Sequence, residues 1–498
     1  MAYSYMDCDR DQLFLLPPSM WDWLPEGHLA LFVIDAVGLI DTSEFHARHP
    51  NDGAGRPAYH PDMMLALLLY AYCLGMRSSR QIERSCRSDV AFRVICAGNV
   101  PDHTTICRFR AENEDAIVGT FIDVLKLCAA AGLASLGTIA IDGTKIGSDA
   151  ALDQNRSGDA IRAEIAGILA EASTTDAAEE AAPPLFDDMV VPGPLLKRNS
   201  RLAHLKAALK EVEVQEETAR EKKKEAAAYA EREAAEGRKL RGRKPATPYA
   251  AKERARVDLA AVRTKAQKHP DRSDFAAKVA DAEARLEQAT GAAEAAASPA
   301  IQVNVTDPES RIMKTKEAWI QGYNVQGSVN ANQVVMAVAA TQDHNDQNQF
   351  SAMTVATEQN ARAAGIEGPI GLALADAGYW SEENATAEGP ERLIATTKDW
   401  KQRKAAREMG TTTGPPPEGA STLVQMEHRL RTKEGAAAYA TRSHTVEPVF
   451  GDVKENHGFR RFMRRGLDAA NSEAHLIFTV HNLKKVFSHD PSVVFGTA

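Results

Sequence analysis

A change of composition near residue 152 constrains this chain more than any other feature. From there to about residue 300, Ala, Glu, Lys and Arg dominate and aromatic residues almost vanish. Leu202, Leu205, Leu209 and Val212 follow a three-four spacing, and Val279, Ala282, Leu286 and Ala289 resume it after a break. Such positions form one apolar stripe along a helix, which needs a partner stripe to bury it. The break holds Arg241-Gly-Arg-Lys-Pro245 and Pro248. The spacing therefore predicts two long helices folded into an antiparallel coiled-coil arm with a basic turn, residues 152–300. The basic run suits a solvated turn or, as an alternative, a DNA minor groove. Pro183, Pro184, Pro192 and Pro194 mark a linker into the arm. A fold that accepts this insertion must do so in a loop, where added length costs little.

The remaining chain is long enough for sizeable cores. It has 498 residues, 44% of them hydrophobic, and a net charge of −9. That charge excludes a uniformly cationic nucleic-acid coat but not a local basic groove. No apolar run approaches the ~20 residues of a membrane span. The opening MAYSYMDCDRDQLF is acidic and polar, unlike a secretory signal. Cys8, Cys73, Cys86, Cys96, Cys107 and Cys128 form no Cys-x-x-Cys pair, and they read as reduced core residues. A cytoplasmic protein without membrane contact is expected.

Residues 1–135 read as an all-helical unit. Pro61 and Asp62 open an apolar helix from Met63 to Leu74, which Gly75 closes. Ser78 or Ser79 starts a second helix, Asp89 a third, and Asp102 caps a fourth. On the fourth, Ile106, Phe109 and Ile117 face inward, whereas Thr104, Thr105 and Arg108 are left for its open face. Short helices with a Thr/Arg face fit a helix-turn-helix DNA reader or a plain helical domain.

Thr138–Ile146 then alternates with period two and carries Asp142 in an apolar strand. A carboxylate there is costly unless paired or bound to a metal. After the arm, Trp319–Val329 and Val334–Thr341 read as a hairpin, Gln349–Ala364 as a helix, and Ile370–Leu374 as a strand running into Asp376. Leu393–Thr396 is a further strand, and 398–438 a charged, Gly/Pro-rich insertion. Near the C-terminus, Val446, Val449, Phe450 and Val453 recur at helical spacing, with Thr445 as cap and Pro448 in the first turn. Glu447, Gly451 and Lys454 share another face. An acid, a gap and a cation in a row suit a metal beside a phosphodiester, or an ordinary mixed-charge surface helix. A last apolar helix spans about Glu473 to Phe487. The order gives an α/β mixed sheet flanked by helices, residues 136–151 and 301–498, in which the first strand lies beside the fourth and brings Asp142 to Asp376.

These residues resemble those of DDE transposases of bacterial insertion sequences. Ile141-Asp142-Gly-Thr-Lys145 resembles the strand of the first Asp, and Ala375-Asp376-Ala-Gly-Tyr379 that of the second. Tyr439, Arg442, Glu447 and Lys454 resemble a tyrosine-arginine-glutamate-lysine signature, with one extra residue between Arg442 and Glu447. Gly55–Pro61 and Pro101–Thr105 are similar to the DNA-binding front end of such enzymes. The resemblance implies an RNase H-like core that cleaves DNA at terminal inverted repeats and joins the ends to target DNA. It implies Asp142, Asp376 and Glu447 as catalytic ligands of two Mg²⁺ ions, with Mn²⁺ as substitute, and a homodimer on double-stranded DNA. Tyr439, Arg442, Lys454, Arg460, Arg461, Arg464 and Arg465 would then contact DNA, with Thr104, Thr105 and Arg108 on the N-terminal unit. Trp380 or Trp400 is a candidate for stacking a flipped base, with packing the plainer role. A nuclease without strand transfer and an inactive DNA-binding regulator are the alternatives.

Overall fold

The computed structural model describes residues 19–47, 58–180, 193–236, 248–268, 274–296, 301–397, 408 and 410–495. Trp400, Cys8, the Arg241–Pro245 turn, Pro183, Pro184, Pro192 and Gly55–Pro57 lie outside these residues.

The N-terminal helices are α1 (Leu29–Leu39), α2 (Ser43–Ala47), α3 (Pro61–Cys73), α4 (Ser79–Ser88), α5 (Val90–Ile95), α6 (His103–Glu112) and α7 (Glu114–Ala130). Their starts follow the capping chemistry of the sequence. Pro61 sits in the first turn of α3, the Asp89 carboxylate accepts from Phe92 N, and Asp102 accepts from the N–H groups of Thr104 and Thr105. Helix α6 stops at Asn113, so Ile117 faces the core from α7, not from the Thr104 helix. Cys73, Cys86, Cys96 and Cys128 are buried free thiols, whereas Cys107 is exposed on α6.

Strand β1 (Thr138–Gly147) begins the sheet. Short β2 (Asn155–Ser157) pairs with β3 (Gln302–Asn304), and the arm is threaded between them. The arm holds α8 (Gly158–Glu180), α9 (Gly193–Glu236), α10 (Pro248–Lys268) and α11 (Asp274–Ala296), more than the two helices the spacing predicts. Pro270 falls between α10 and α11, and a proline there disfavours one continuous helix, a break that apolar spacing alone does not register. Pro194 lies in the first turn of α9 and does not belong to a linker. Ile161, Leu205, Ala208, Val212, Val303 and Val305 form a small separate core that roots the arm on β3.

The sheet continues with β4 (Arg311–Lys314), β5 (Trp319–Asn330), β6 (Val335–Thr341), β7 (Leu372–Ala375) and β8 (Glu391–Ile394). Its order is β4-β5-β1-β7-β8, with β6 also on β5. β1 runs antiparallel to β5 and parallel to β7, which is parallel to β8. The sheet is therefore mixed, and the first strand does lie beside the strand that leads to Asp376. β4 is an edge strand that sequence alternation did not reveal. Helix α12 (Gln349–Ala363) and the short α13 (Glu382–Thr386) flank β7 in sequence. The insertion after β8 is partly helical, with α14 (Thr422–Arg431) and α15 (Lys433–Ala440), followed by α16 (Arg442–Glu455), α17 (Leu467–His489) and α18 (Ser492–Phe495).

Helix α17 is longer than its apolar stretch and buries nearly its whole middle. It packs against α7 and α3 on one side and β6 on the other. One continuous core thus includes Phe32, Leu68 and Phe121 of the N-terminal helices, Ile141 and Val325 of the sheet, and Phe478 of α17. No helix among the described residues is long and apolar enough to cross a membrane.

Candidate active site

Strand register explains why two Asp residues separated by the whole arm become neighbours. Ile141 of β1 pairs with Ala375 of β7 in a parallel ladder. Asp142 and Asp376 are the next residues on these adjacent strands. β7 ends at Ala375, and the Asp376 carboxylate caps the following turn, accepting from Gly378 N at 2.8 Å. Asp142 Oδ1 accepts from Gly143 N at 2.9 Å.

Helix α16 brings the third acid. It starts at Arg442, earlier than a Thr445 cap implies, so Thr445 is buried inside it and donates to the Thr441 carbonyl at 2.8 Å. Pro448 consequently lies in the helix interior and cannot donate to the carbonyl of His444. The Gln333 amide, in the β5–β6 turn, donates to that carbonyl instead at 2.9 Å. Val446, Val449, Phe450 and Val453 are buried against the sheet, as their spacing predicts. Gly327 of β5 has no side chain where Phe450 sits, and a Cβ there would come within 3.2 Å of the ring.

Arg442 is buried and joins two of the acids. Its Nη2 lies 3.0 Å from Asp142 Oδ2 and its Nη1 3.9 Å from Glu447 Oε1. Burial raises the Asp142 carboxyl to about 6. Arg442 and the Gly143 N–H oppose this, while Asp376 and Asp346 reinforce it. Glu447 is half exposed, so the site opens to solvent on the α16 side. Lys454, two turns further on, is half-buried, and burial lowers its ammonium pKa, with Arg460 and Lys316 adding repulsion and Asp142 opposing it.

Asp346, in the turn between β6 and α12, is the residue that sequence reading missed. Its Oδ1 accepts from the side-chain amides of Asn324 at 2.8 Å and Gln326 at 2.7 Å. Gln326 in turn accepts from the Tyr379 hydroxyl. Asn324, Gln326 and Tyr379 are all buried, so this chain of donors is fixed by packing. Burial and the negative charges of Asp142, Asp346 and Asp376 hold the Tyr379 phenol well above its usual range. Two glycines leave room around these acids. A Cβ at Gly378 would meet Asp376 Oδ1 at 3.0 Å and Asp346 Oδ2 at 3.2 Å, and one at Gly143 would meet Asp346 Oδ1 at 2.6 Å.

The sequence-predicted DNA-contact residues fall into different settings. Thr104 and Arg108 are exposed on α6, and Thr105 donates to Asp102 Oδ2 at 2.7 Å. Tyr439 is partly buried against the core. Arg460 pairs with Glu455, and Arg461 and Arg465 both pair with Asp149, at 2.9 and 3.1 Å. Arg464 is mostly buried and pairs with Glu114 of α7. The backbone of this segment also bonds β1, with Phe462 N donating to Gly147 O at 2.7 Å. The arginine cluster therefore splices the end of β1 to the start of α17. Trp380 is partly buried against the core, and its carbonyl accepts from Gln347 at 3.1 Å.

Comparison with known families meets this geometry at both ends of the chain. Residues 19–112 match a family model described as a transposase domain (DUF772), and residues 401–487 match one described as a transposase DDE domain. Together the two matches support a DDE-type insertion-sequence transposase. No curated protein and no solved structure matches it. The DDE match covers the part of the chain that holds Arg442, Glu447 and Lys454, while Asp142 and Asp376 lie outside both matched segments. The N-terminal match contains the Asp102-capped helix α6 and the apolar α3.

Proposed function

We propose that this transposase cleaves DNA at the ends of its element and joins the resulting 3′-hydroxyls to target DNA, using an RNase H-like core. The observation that carries the reading is convergence. Asp142 and Asp376 meet through the β1–β7 register, Asp346 faces the same turn, and Arg442 joins Asp142 to Glu447. The donors are all carboxylate oxygens, which suits hard divalent cations such as Mg²⁺, and Gly143 and Gly378 keep side chains out of the space between them. When bound there, such cations would activate the attacking hydroxyl and stabilise the leaving oxygen.

The chain's own residues do the rest. Asp142, Asp376 and Glu447 are the ligands, and Asp346 is a fourth carboxylate whose Oδ1 is clamped by Asn324 and Gln326. Arg442 balances Asp142 in the absence of a cation. Its planar guanidinium also matches a phosphate. Lys454 lies close enough to feel Asp142 and supplies positive charge beside the scissile strand. Thr104, Thr105 and Arg108 on α6 would contact duplex DNA, a reading supported by the exposure of Thr104 and Arg108. A dimer that pairs two ends would complete the assembly.

The test is cleavage and joining of a duplex carrying the element's terminal repeats in Mg²⁺. Asp142→Asn, Asp376→Asn and Glu447→Gln should each abolish cleavage while duplex binding persists. Asp346→Asn should raise the Mg²⁺ concentration needed for half-maximal cleavage. If Asp142→Asn cleaves like the unchanged protein, the reading fails. If a pre-cleaved 3′-end is never joined to target, the protein is a nuclease on the same site.

A further inference from the structure

A second cluster, in the N-terminal helical unit, offers a different set of donors. His46 lies near the end of α2, His60 precedes α3, and Asp62 is the second residue of α3. His46 Nε2 is 2.8 Å from Asp62 Oδ1, and His60 Nδ1 is 3.8 Å from Asp62 Oδ2. Each oxygen of one carboxylate therefore has its own imidazole. The two rings lie 5.2 Å apart and nearly perpendicular. One nitrogen from each histidine and one Asp62 oxygen all fall within 4.8 Å of one another. His46 and His60 also line a surface cavity of about 830 Å³, together with Thr42, Ser43 and Tyr59.

An ion pair alone requires one histidine on Asp62. The second imidazole on the other oxygen of the same carboxylate is not needed for such a pair. Neutral imidazoles turned toward a carboxylate are instead the donor set of a transition-metal centre. Two nitrogens and one oxygen favour Zn²⁺ and its neighbours over Mg²⁺, in contrast to the all-carboxylate site on the sheet. Three protein ligands leave a further position for water on the cavity side. We infer that His46, His60 and Asp62 form a transition-metal site that fastens α2 to the start of α3. His46 belongs to α2 and Asp62 to α3, so the bound ion ties together two helices of the segment that matches the transposase domain. The inference is independent of the chemistry assigned to the sheet site.

The probe is Co²⁺, whose visible absorption reports a site with nitrogen and oxygen ligands. Full-length protein stripped with a chelator is titrated with Co²⁺ in millimolar Mg²⁺. One equivalent should produce a d–d band, and Zn²⁺ should displace it. His46→Gln and His60→Gln should each remove the band at stoichiometric Co²⁺, while Asp142→Asn keeps it. His46 is exposed, so His46→Gln should leave the helical circular dichroism unchanged and separate metal loss from unfolding. Absence of a band, an unchanged titration in the double histidine variant, or binding only at millimolar Co²⁺ would overturn the inference.

Discussion

Asp142 is held in place at a cost. It lies on the inner strand β1, within reach of the charges of Asp376 and Asp346, and burial raises its carboxyl to about 6 from a usual value of 3.8. The folded protein therefore binds an extra proton between those two values. Stability without a divalent ion should be highest below the lower value and fall as pH rises through about 6. The size is about 3 kcal/mol, because one pKa unit corresponds to about 1.4 kcal/mol. Asp142→Asn removes this dependence. Urea unfolding in chelator should show the variant gaining on the unchanged protein from pH 4 to pH 7, and Mg²⁺ should reverse the order at pH 7. Equal pH profiles for the two proteins would mean that the carboxylate is not confined as described. Glycine at 143 belongs to the same arrangement. Gly143→Ala would press a methyl group into Asp346 and Gln326, and should impair the site without touching a ligand.

Helix α16 shows how an element can be built around an apparent defect. Pro448 leaves the His444 carbonyl without its helical donor, and Gln333 replaces it from another element. The Gln333 backbone has a positive φ of 63°, its carbonyl faces His481 at 3.0 Å, and its side-chain oxygen accepts from Lys485 at 2.7 Å. A double-mutant cycle tests the substitution of donors. Gln333→Ala should cost about 1 kcal/mol in the unchanged protein. The cost should shrink in a Pro448→Ala background, where the substituted residue regains a backbone N–H, and a strictly additive cycle would refute the pairing. Elements of this kind mark the limit of sequence reading. The helices and strands were legible where apolar periodicity and caps agree, as at Pro61, Asp89 and Asp102. Asp142 and Asp376 were legible because a carboxylate in or at the end of an apolar strand stands out. The start of α16 was not, because Pro448 and Thr445 imitate a helix start while the replacement donor lies over a hundred residues away. Asp346 was not, because it lies in a turn with no alternation. A signal did exist in β5, where Asn324, Gln326, Ser328 and Asn330 alternate as a solvent-facing edge would. All four are buried, and the first two hold Asp346.

At the scale of the whole molecule, the N-terminal helices are locked to the half of the chain that holds the sheet by a largely buried ion pair. Arg77, in the loop before α4, donates to Glu473 of α17 at 3.0 Å and to the carbonyls of Gly458 and Arg461, both at 2.7 Å. Glu473 also accepts from Met463 N at 2.9 Å. Arg110 of α6 bonds Tyr72 Oη at 2.9 Å and the Arg77 carbonyl at 3.0 Å, extending the lock to the helix that carries Thr104 and Arg108. Burial raises the Glu473 carboxyl, and Arg77 opposes that rise. Each member of the pair thus depends on the other. Removing one leaves the other buried and uncompensated, which typically costs about 3–5 kcal/mol, whereas replacing both with apolar groups of similar size is far milder. Arg77→Met should therefore lower the unfolding midpoint sharply. Adding Glu473→Leu to Arg77→Met should recover much of the loss, although Met463 N and two carbonyls would still lack their partners. The more telling measurement is where hydrogen exchange accelerates in Arg77→Met. If the lock positions the N-terminal helices on the half that holds the sheet, protection should fall first in α6 and in the 458–466 segment, ahead of β1 and β5. Uniform loss across the sheet would show instead that Arg77 serves only global stability.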